Sequence, residues 1–361
     1  MWTNLGTLGL MSYENYRDAV SAQILRALDT SMPFLDDSVA QQLAEDFLAP
    51  ARALSGGGKR TRALLLAAGF EAIAGPEVPL PVHGGAAVEL YQVSALVHDD
   101  IIDEARTRRG LPATHIAFAT QHNQRQLLGN SHDFGVKAGL LLGDFLLSLA
   151  GLEIERAEAV NADASLKARE IFHAMTAETA FGQFMDMRAE FTALSKNTQS
   201  AIDNALVVLL HKSARYSVEL PLLIGAALGG ATAAQLTELS AVGRPLGEAF
   251  QLRDDELGIF GDPLVTGKPA GGDLAEGKRT VLLALTRSHA SADDVQAIDN
   301  MLGRPLTDED VRQARQIIRD SGAFAAHEHM INEREDAAVS ALTFDAPLLK
   351  ELMDALSGRK R

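Results

Sequence analysis

Apolar residues recur at three- and four-residue intervals along most of the chain, which is the spacing of helices with one buried face. The helical segments predicted from this pattern are Tyr13–Leu28, Val39–Leu54, Arg60–Ala74, Ala86–Asp103, Phe134–Glu158, Ser165–Phe191, Thr198–Leu228 and Ala233–Leu257, followed by shorter segments up to Leu356. Turn-forming residues separate them, at Gly75-Pro76, Pro79, Pro81, from Gly110 to Pro112 and from Gly261 to Gly272. Strand-like alternation is scarce. We therefore predict an all-α fold, built as a single large helical bundle domain.

No Pro- or Ser-rich linker divides the chain. We predict one helical domain over residues 13–356, a disordered N-terminus over residues 1–12 and a basic tail over residues 357–361. Met11 is an alternative start to Met1. The tail ends in Arg-Lys-Arg and is either solvated or a lid over the site.

Composition narrows the classes of function. The net charge of −15 argues against nucleic-acid binding, which needs a basic face for the phosphates. Cys is absent, so the chain has no disulfide and no thiolate metal site, and we expect a cytoplasmic protein. The most apolar stretches, Ala138–Leu152 and Leu220–Ala234, are shorter than the ~20 residues that a bilayer requires, so we expect no transmembrane segment. The start of the chain also lacks the features of a signal peptide.

An acidic cluster lies at the end of an apolar helical segment. On a helix, Asp99 and Asp103 lie one turn apart on the same face, with Asp100 beside them. Carboxylates this close repel one another, so the arrangement lowers stability unless a cation bridges them. Arg108 and Arg109 follow in a turn. The alternative interpretation is a charged helix end without further function.

A second cluster, Asp254-Asp255-Glu256, also ends a mainly apolar helix and precedes a loop with Lys268 and Lys278. Oxygen ligands without His or Cys suit Mg²⁺, which shares its coordination with substrate phosphates. Two clusters of the same design predict a site in which metal ions hold a diphosphate.

The order of these motifs resembles the trans-isoprenyl diphosphate synthases, also called polyprenyl synthetases, over about Gly56 to Thr280. The matching segments are Gly57–Arg62, Asp99–Asp103 with Arg108–Gly110, Gly182–Asp186, Lys212-Ser213, and Phe250–Asp255 with Lys268 and Lys278. The resemblance implies a short-chain prenyltransferase that joins isopentenyl diphosphate to an allylic diphosphate and releases pyrophosphate. It also implies an isoprenoid-synthase bundle around a deep central cavity, a homodimer, and three Mg²⁺ ions bound with the substrate.

The resemblance assigns roles to particular residues. The metal ligands would be Asp99, Asp103 and Asp254, with Asp100 and Asp255 in support. The isopentenyl diphosphate site would be formed by Gly58, Lys59, Arg62, Gln92 and Arg109. Arg108, Lys212, Lys268 and Lys278 would hold the allylic diphosphate, and Ser213 and Gln251 would face the reacting carbon.

The sequence departs from the family at three of these positions. Gly258 stands where an aspartate often follows the second cluster, and Asp262 is a candidate to replace it. Gln92 and Ser213 stand where His and Thr are common, and both keep a hydrogen-bond donor.

Local alternatives exist for the basic residues. Cations at the start of a helix oppose its dipole, so Lys59, Arg60 and Arg62 indicate an approaching anion more than a cap. The other readings are a surface loop for Gly57–Arg62, solvated side chains for Arg108 and Arg109, pairing of Lys212 with Glu219 or another acid, and loop ion pairs of Lys268 and Lys278 with Asp273 and Glu276.

Two other functions share parts of this pattern. A class I terpene cyclase usually carries an Asn/Ser/Glu triad where this chain has Asp254-Asp255. A non-catalytic regulatory subunit is expected to have lost acidic ligands, and this chain keeps both clusters.

Product length is predicted from the residues that precede the first cluster. Ser94 and Ala95 are small, and Tyr91 lies about 4.5 Å further along a helix than Ser94 at 1.5 Å per residue. In the family that the sequence resembles, the growing prenyl chain of the product runs alongside this helix. The pattern therefore predicts twenty-carbon geranylgeranyl diphosphate. The alternatives are farnesyl diphosphate or a product of twenty-five carbons or more, with another helix closing the tunnel.

Overall fold

The computed structural model describes residues 13–33, 35–261 and 271–358. The predicted disordered N-terminus (1–12) and the last basic residues (359–361) lie outside the described residues. The loop 262–270 does so too, and with it Asp262 and Lys268.

Helices account for nearly all of the regular structure that is described. The first half of the chain contains α1 (Tyr13–Asp29), α2 (Ser38–Ser55), α3 (Thr61–Ala74), α4 (Val82–Ile102), α5 (Thr114–Gln124), α6 (Ser131–Glu155) and α7 (Ala162–Glu190). The second half contains α8 (Thr198–Leu209), a π-helix (Leu210–Glu219), α9 (Leu220–Leu228), α10 (Ala233–Phe260), α11 (Gly272–Glu276), α12 (Val281–His289), α13 (Ala292–Asp299), α14 (Asp308–Asp320), α15 (Ala323–Ala341) and α16 (Pro347–Ser357). The all-α prediction is confirmed.

Two compact units can be distinguished in the chain. The first contains the described residues up to His173 together with Pro221–Leu236 and Ala346–Leu349. The second contains Ala174–Leu220, Thr237–Asp345 and the described residues from Lys350 onwards. The prediction of a single domain over residues 13–356 stays a prediction.

In the first unit, glycines allow helices to pack with their backbones in contact. A Cβ atom at Gly69 of α3 would overlap the Leu222 carbonyl of α9, and one at Gly225 of α9 would overlap the Leu66 carbonyl of α3. Each helix therefore supplies the glycine that the other needs. At Gly143 of α6 the neighbour is a side chain of α4, because a Cβ there would overlap the His98 ring.

A short β-hairpin follows α4, which the sequence pattern did not predict. Strand β1 (Thr107–Arg108) pairs in antiparallel fashion with β2 (Leu111–Pro112). The two-residue loop consists of Arg109 and Gly110, whose φ angles of 53° and 74° suit the turn types that favour tight hairpins. The hairpin fixes the direction in which Arg108 leaves the backbone.

The core of the second unit forms where α8, α10, α12, α14 and α15 bring apolar side chains together. Its fully buried members include Leu252 of α10, Val281 and Leu282 of α12, and Ile331 of α15. This core holds α10, the helix that carries the second acidic cluster.

The segment predicted as one helix over Thr198–Leu228 is helical throughout, but its middle part is a π-helix. Two glycines contact this part within the second unit. A Cβ at Gly182 of α7 would overlap the backbone of His211 and Lys212, and one at Gly247 of α10 would overlap the Ala214 carbonyl. Helix segments with i→i+5 hydrogen bonds are frequent at functional sites.

Among the described helices, α6 is the one that is long and apolar enough to cross a membrane by length and composition. In the most apolar 18-residue stretch of α6, 39% is buried inside the protein. The core helices of soluble proteins can have the same length and composition.

Candidate active site

The first acidic cluster forms the C-terminal end of α4. Asp99 and Asp100 lie in the last turn and Asp103 is the C-cap. The last turn contains no basic residue, although the carboxyl end of a helix carries partial negative charge. Asp100 is fully buried, whereas Asp99 and Asp103 are partly exposed. The negative charge gathered here therefore requires a cation.

In this structure Arg108 supplies that positive charge from the hairpin. Its Nε donates to Asp100 Oδ1 at 2.6 Å and its Nη2 donates to Asp99 Oδ2 at 3.0 Å. Only 14% of the Arg108 side chain is exposed, so the reading of a solvated arginine is wrong. Burial raises the pKa of Asp100 to about 6, an increase that Arg108 opposes and that Asp99 and Asp103 add to.

The donor set of this cluster fits magnesium. Its donors are hard carboxylate oxygens, and Asp100 Oδ2 is buried without a hydrogen-bond partner among the described residues. Within the described part of the chain, no group of three His or acidic side chains is arranged to hold a metal ion alone. Mg²⁺ commonly takes few protein ligands and completes its octahedral shell with phosphate and water oxygens. The residues therefore suit an ion that is shared with a diphosphate.

A cluster of guanidinium groups lies at the start of α3 and in the hairpin. Nη1 of Arg109 donates to the carbonyl oxygens of Leu54 and Gly57, both at 3.2 Å. Burial lowers the pKa of Arg109, and the charges of Arg60 and Arg62 lower it further, against the opposing effect of Glu89. Like charges held this close together indicate a site for an anion.

Gly58 and Lys59, predicted to bind the same diphosphate, lie in the loop before α3. Both are exposed, and Gly58 has a φ of 127°, which favours glycine. A Cβ at Gly58 would contact Arg109 Nη1 at 3.4 Å. Gln92 is buried on α4, and its Oε1 has no hydrogen-bond partner in the described ranges. A polar atom left in this state is a candidate for a ligand contact.

Arg60 has a different role from its basic neighbours. It is buried, with Nη2 donating to Ser55 O at 2.6 Å and Nε to Ser21 Oγ at 3.0 Å. Its guanidinium also lies 3.7 Å from Glu89, whose Oε1 accepts the Ala63 N–H at the start of α3. The Glu89 carboxylate thus lies at the amino end of α3, and the approach of a ligand anion there stays a prediction.

The second cluster lies near the end of α10. Gln251 Nε2 donates to Asp255 Oδ1 at 2.9 Å. Burial raises the pKa of Asp255 well above its usual range, and the charges of Asp273, Asp254 and Asp186 raise it further. Carboxylates crowded in this way again create a need for positive charge.

Glu256 belongs to a different set of contacts. It is fully buried and accepts from Arg253 Nη1 at 2.7 Å, while the same atom donates to Glu328 at 2.6 Å. These ion pairs tie α10 to α15 and have a structural role.

Lys212 lies on the π-helix and forms an ion pair with Asp186 of α7. Pairing with another acid was one of the alternatives left open, although Glu219, the acid named, instead accepts from Arg215 and Ser240. Ser213 is partly buried beside Lys212. Asp186 received no role from the sequence, although it ends one of the matching segments.

Lys278 forms an ion pair with Glu276 at 2.6 Å, as the local alternative for this residue predicted. Lys268, predicted to act on the same diphosphate, lies outside the described residues.

The residues predicted to set product length face different neighbours. Ser94 is buried, and its hydroxyl donates to the Gly143 carbonyl of α6 at 2.8 Å. Tyr91 is also buried, and its ring lies edge-on to Phe172 of α7 with centroids 6.2 Å apart. Ala95, one turn before Asp99, is partly exposed. The Ser94 side chain therefore takes part in the contact between α4 and α6, whereas Ala95 lies on the same helix face as Asp99.

Comparison with known proteins identifies the class of enzyme. A family model described as polyprenyl synthetase matches residues 45–318. The chain belongs to the polyprenyl synthetase family.

Among solved structures, the chain is similar to a geranylgeranyl pyrophosphate synthase from Corynebacterium glutamicum complexed with isoprenyl diphosphate and magnesium. The two are 31% identical with a TM-score of 0.88, and the match covers 97% of this chain and all of the other. It is 32% identical to geranylgeranyl diphosphate synthase from Mycobacterium tuberculosis over 79% of this chain and 75% of the relative. It is also 31% identical to geranylfarnesyl diphosphate synthase from Aeropyrum pernix, over 75% of this chain and 78% of the relative. The isoprenoid-synthase fold is confirmed.

Proposed function

We propose that this protein is a short-chain trans-prenyltransferase, which condenses isopentenyl diphosphate with an allylic diphosphate and releases pyrophosphate. The observation that carries the proposal is the end of α4, where Asp99 and Asp100 converge with Arg108 from the hairpin. Acids that bind cations and a cation that binds phosphate are thus held together, as diphosphate ionisation requires. Family membership supports the same reaction.

The allylic carbon–oxygen bond must break first, which leaves an allylic cation and pyrophosphate. Asp99, Asp103 and Asp254, with Asp100 and Asp255 in support, would hold Mg²⁺, which would supply positive charge for the leaving oxygens. Arg108, Lys212 and Lys278 would stabilise the same oxygens through charge-assisted hydrogen bonds, together with Lys268 of the undescribed loop. Arg108, Lys212 and Lys278 now pair with acids, so a substrate phosphate would replace a carboxylate as the partner of each.

The second substrate is assigned to the guanidinium cluster. Arg62 and Arg109 would bind the isopentenyl diphosphate, with Lys59 and the backbone at Gly58 beside them. Gln92 would bind this diphosphate through its Nε2 donor, because the amide Oε1 can only accept a hydrogen bond. Carbon–carbon bond formation then requires the double bond to reach the allylic cation and a proton to be lost. The side-chain dipoles of Ser213 and Gln251 would face this cation.

The test is product analysis with isopentenyl diphosphate, Mg²⁺ and each allylic primer of five, ten or fifteen carbons in turn. We expect a longer diphosphate, and no product when the metal is chelated. A hydrocarbon would instead indicate a terpene cyclase, and the absence of any product a regulatory subunit. Either outcome contradicts the proposal.

For product length we propose twenty carbons. The small Ala95 on the face of Asp99 leaves room for a growing chain, and the Tyr91–Phe172 pair lies further along α4. Relatives named for geranylgeranyl and geranylfarnesyl diphosphate have nearly equal identity, so the product analysis must distinguish twenty from twenty-five carbons. Farnesyl diphosphate is the shorter alternative.

We also propose a cytoplasmic homodimer in which α6 contacts a second copy of the chain. Leu140, Leu141, Leu147 and Leu152 are exposed on one face of this helix. A membrane is a poorer occupant, because the same helix exposes the Lys137–Asp133 ion pair in its first two turns. A second copy of the chain would cover the exposed leucines.

A further inference from the structure

The second acidic cluster lacks the aspartate that often stands four residues after Asp254, because position 258 is glycine. This residue lies inside α10, where glycine lowers helix stability relative to alanine. The φ angle of Gly258 is not positive, so backbone conformation does not explain why glycine stands here. The close approach of another group explains it.

The group that approaches is the carboxylate of Asp273. A Cβ atom at position 258 would overlap Asp273 Oδ2, and it would also lie 2.6 Å from Cγ and 2.9 Å from Oδ1. A side chain at position 258 would therefore require the Asp273 carboxylate to move. The space that a side chain at position 258 would enter is filled by an acid from elsewhere in the chain.

The backbone holds Asp273 in this place. Gly271 N–H donates to the Gly258 carbonyl at 3.1 Å, which satisfies one of the last carbonyls of α10. Lys278 N–H then donates to Asp273 O at 2.9 Å, which closes the turn after α11. The φ of 73° at Gly271 allows the chain to turn into α11 at once. The position of Asp273 is thus fixed at both ends of its short helix.

We infer that Asp273 supplies the acidic group that is missing at position 258 and acts as a positioning residue for the cation held by Asp254 and Asp255. The inference rests on the proposed function, which places a Mg²⁺ ion at this cluster. The observation behind it is that the Asp273 carboxylate occupies the space of a side chain at position 258, together with the hydrogen bonds that hold the Asp273 backbone. Among the charges that act on Asp255, that of Asp273 is the strongest. Asp262, the candidate from the sequence, lies outside the described residues.

The probe is inorganic pyrophosphate, which has the diphosphate group of the substrates without a prenyl chain. Its binding to the whole protein is followed by calorimetry at increasing Mg²⁺ concentrations. We expect Asp273→Asn to raise the half-saturating Mg²⁺ concentration by about tenfold, because a charged contact is lost. Asp320→Asn, which removes an exposed acid of α14, should leave this concentration unchanged. An unchanged value for Asp273→Asn overturns the inference.

A double variant tests whether the two positions are equivalent. Gly258→Asp combined with Asp273→Gly returns one acid to the same space from α10. We expect this double variant to bring the half-saturating Mg²⁺ concentration most of the way back to the wild-type value. A folded double variant, judged by circular dichroism, that binds no better than Asp273→Asn would contradict the inference. If the double variant does not fold, the Asp273→Asn result decides.

Asp254→Asn distinguishes a failure of the Asp273 inference from a failure of the proposed metal site. If it raises the half-saturating Mg²⁺ concentration and Asp273→Asn does not, the inference fails and the proposed function stands. If Asp254→Asn has no effect, or the wild type shows no Mg²⁺-dependent pyrophosphate binding, the metal site of the proposed function fails, and the inference with it.

Discussion

Within each of the two clusters, one at the end of α4 and one near the end of α10, acids lie close to one another, and replacing them tests whether they bind a metal ion. We expect Asp99→Asn and Asp254→Asn each to lower turnover by a factor of a hundred or more, because positive charge at the leaving oxygens is lost. Removal of like-charge repulsion should leave the thermal midpoint unchanged or higher. Steady-state kinetics at saturating Mg²⁺ and circular dichroism melting measure the two effects. Turnover close to wild type in either variant would argue against that acid as a metal ligand.

His327 of α15 gives a pH dependence of stability that is separate from catalysis. It is fully buried, and neither ring nitrogen has a hydrogen-bond partner among the described residues. Burial lowers its pKa to about 4, and the charges of Arg253 and Arg334 lower it further, against the effect of Glu328. Because the folded pKa lies below the unfolded value of about 6.5, the unfolded chain binds the proton first as the pH falls.

Stability from this histidine is therefore complete above pH 6.5 and decreases toward pH 4, by about 1.4 kcal/mol per pH unit at most. We expect the unfolding free energy to fall about 2 kcal/mol more between pH 7 and 5 in the wild type than in His327→Leu. Urea unfolding at the two pH values measures this difference. Equal pH dependence in both proteins would show that His327 does not titrate between them.

Single residues also show which contacts can be predicted from the sequence and which cannot. Asp99, Asp100 and Arg108 were predicted as one group, since they lie within ten positions of one another, and the structure brings them into contact. Asp186 was missed as the partner of Lys212, because the two are far apart in sequence and meet only when α7 packs on the π-helix.

At the scale of elements, the contact between α3 and α9 depends on glycine rather than on apolar area. Gly225→Ala places a methyl group against the Leu66 carbonyl, and we expect a loss of about 3 kcal/mol or more, because both groups are fixed in helices. Gly151→Ala in α6 is the matched control, since a Cβ there meets nothing within 4 Å. It should stabilise the protein by up to about 1 kcal/mol. Urea unfolding of both variants gives the comparison.

The packing of α4 makes the product-length prediction more specific. Ser94 bonds to the Gly143 carbonyl, so Ser94→Phe should displace α6 and lower the thermal midpoint without a defined change in product. Ala95→Phe adds its ring on the face of Asp99, and we expect a shift toward fifteen carbons. Tyr91→Ala opens the space beside Phe172 and should lengthen the product beyond twenty carbons. Chromatography of the dephosphorylated products tests both changes. Unchanged products in both variants would place the limit on another helix.

For the whole molecule, the proposed dimer depends on the exposed leucines of α6. Leu141→Asp combined with Leu147→Asp should convert a dimer into a monomer, because two charges would be buried in an apolar interface. Leu128→Asp is the control, since that side chain is 98% exposed just before α6 and outside this face. Light scattering after size-exclusion chromatography gives the mass. A wild type that is monomeric at micromolar concentration would contradict the proposed dimer.

Helix periodicity and charge spacing depend on residues within a few turns of one another, so the sequence predicts most of the helices and both acidic clusters. The short helix α5 (Thr114–Gln124) was not among the predicted segments. The two-residue strands that fix the direction of Arg108 are seen only in the tertiary structure, because segments this short have no periodicity in the sequence. The tertiary structure also decided which of the neighbouring Lys59 and Arg60 side chains is buried, and that Asp273 fills the space at Gly258. Each of these depends on contacts between segments that are distant in sequence, and such contacts are set by packing rather than by local pattern.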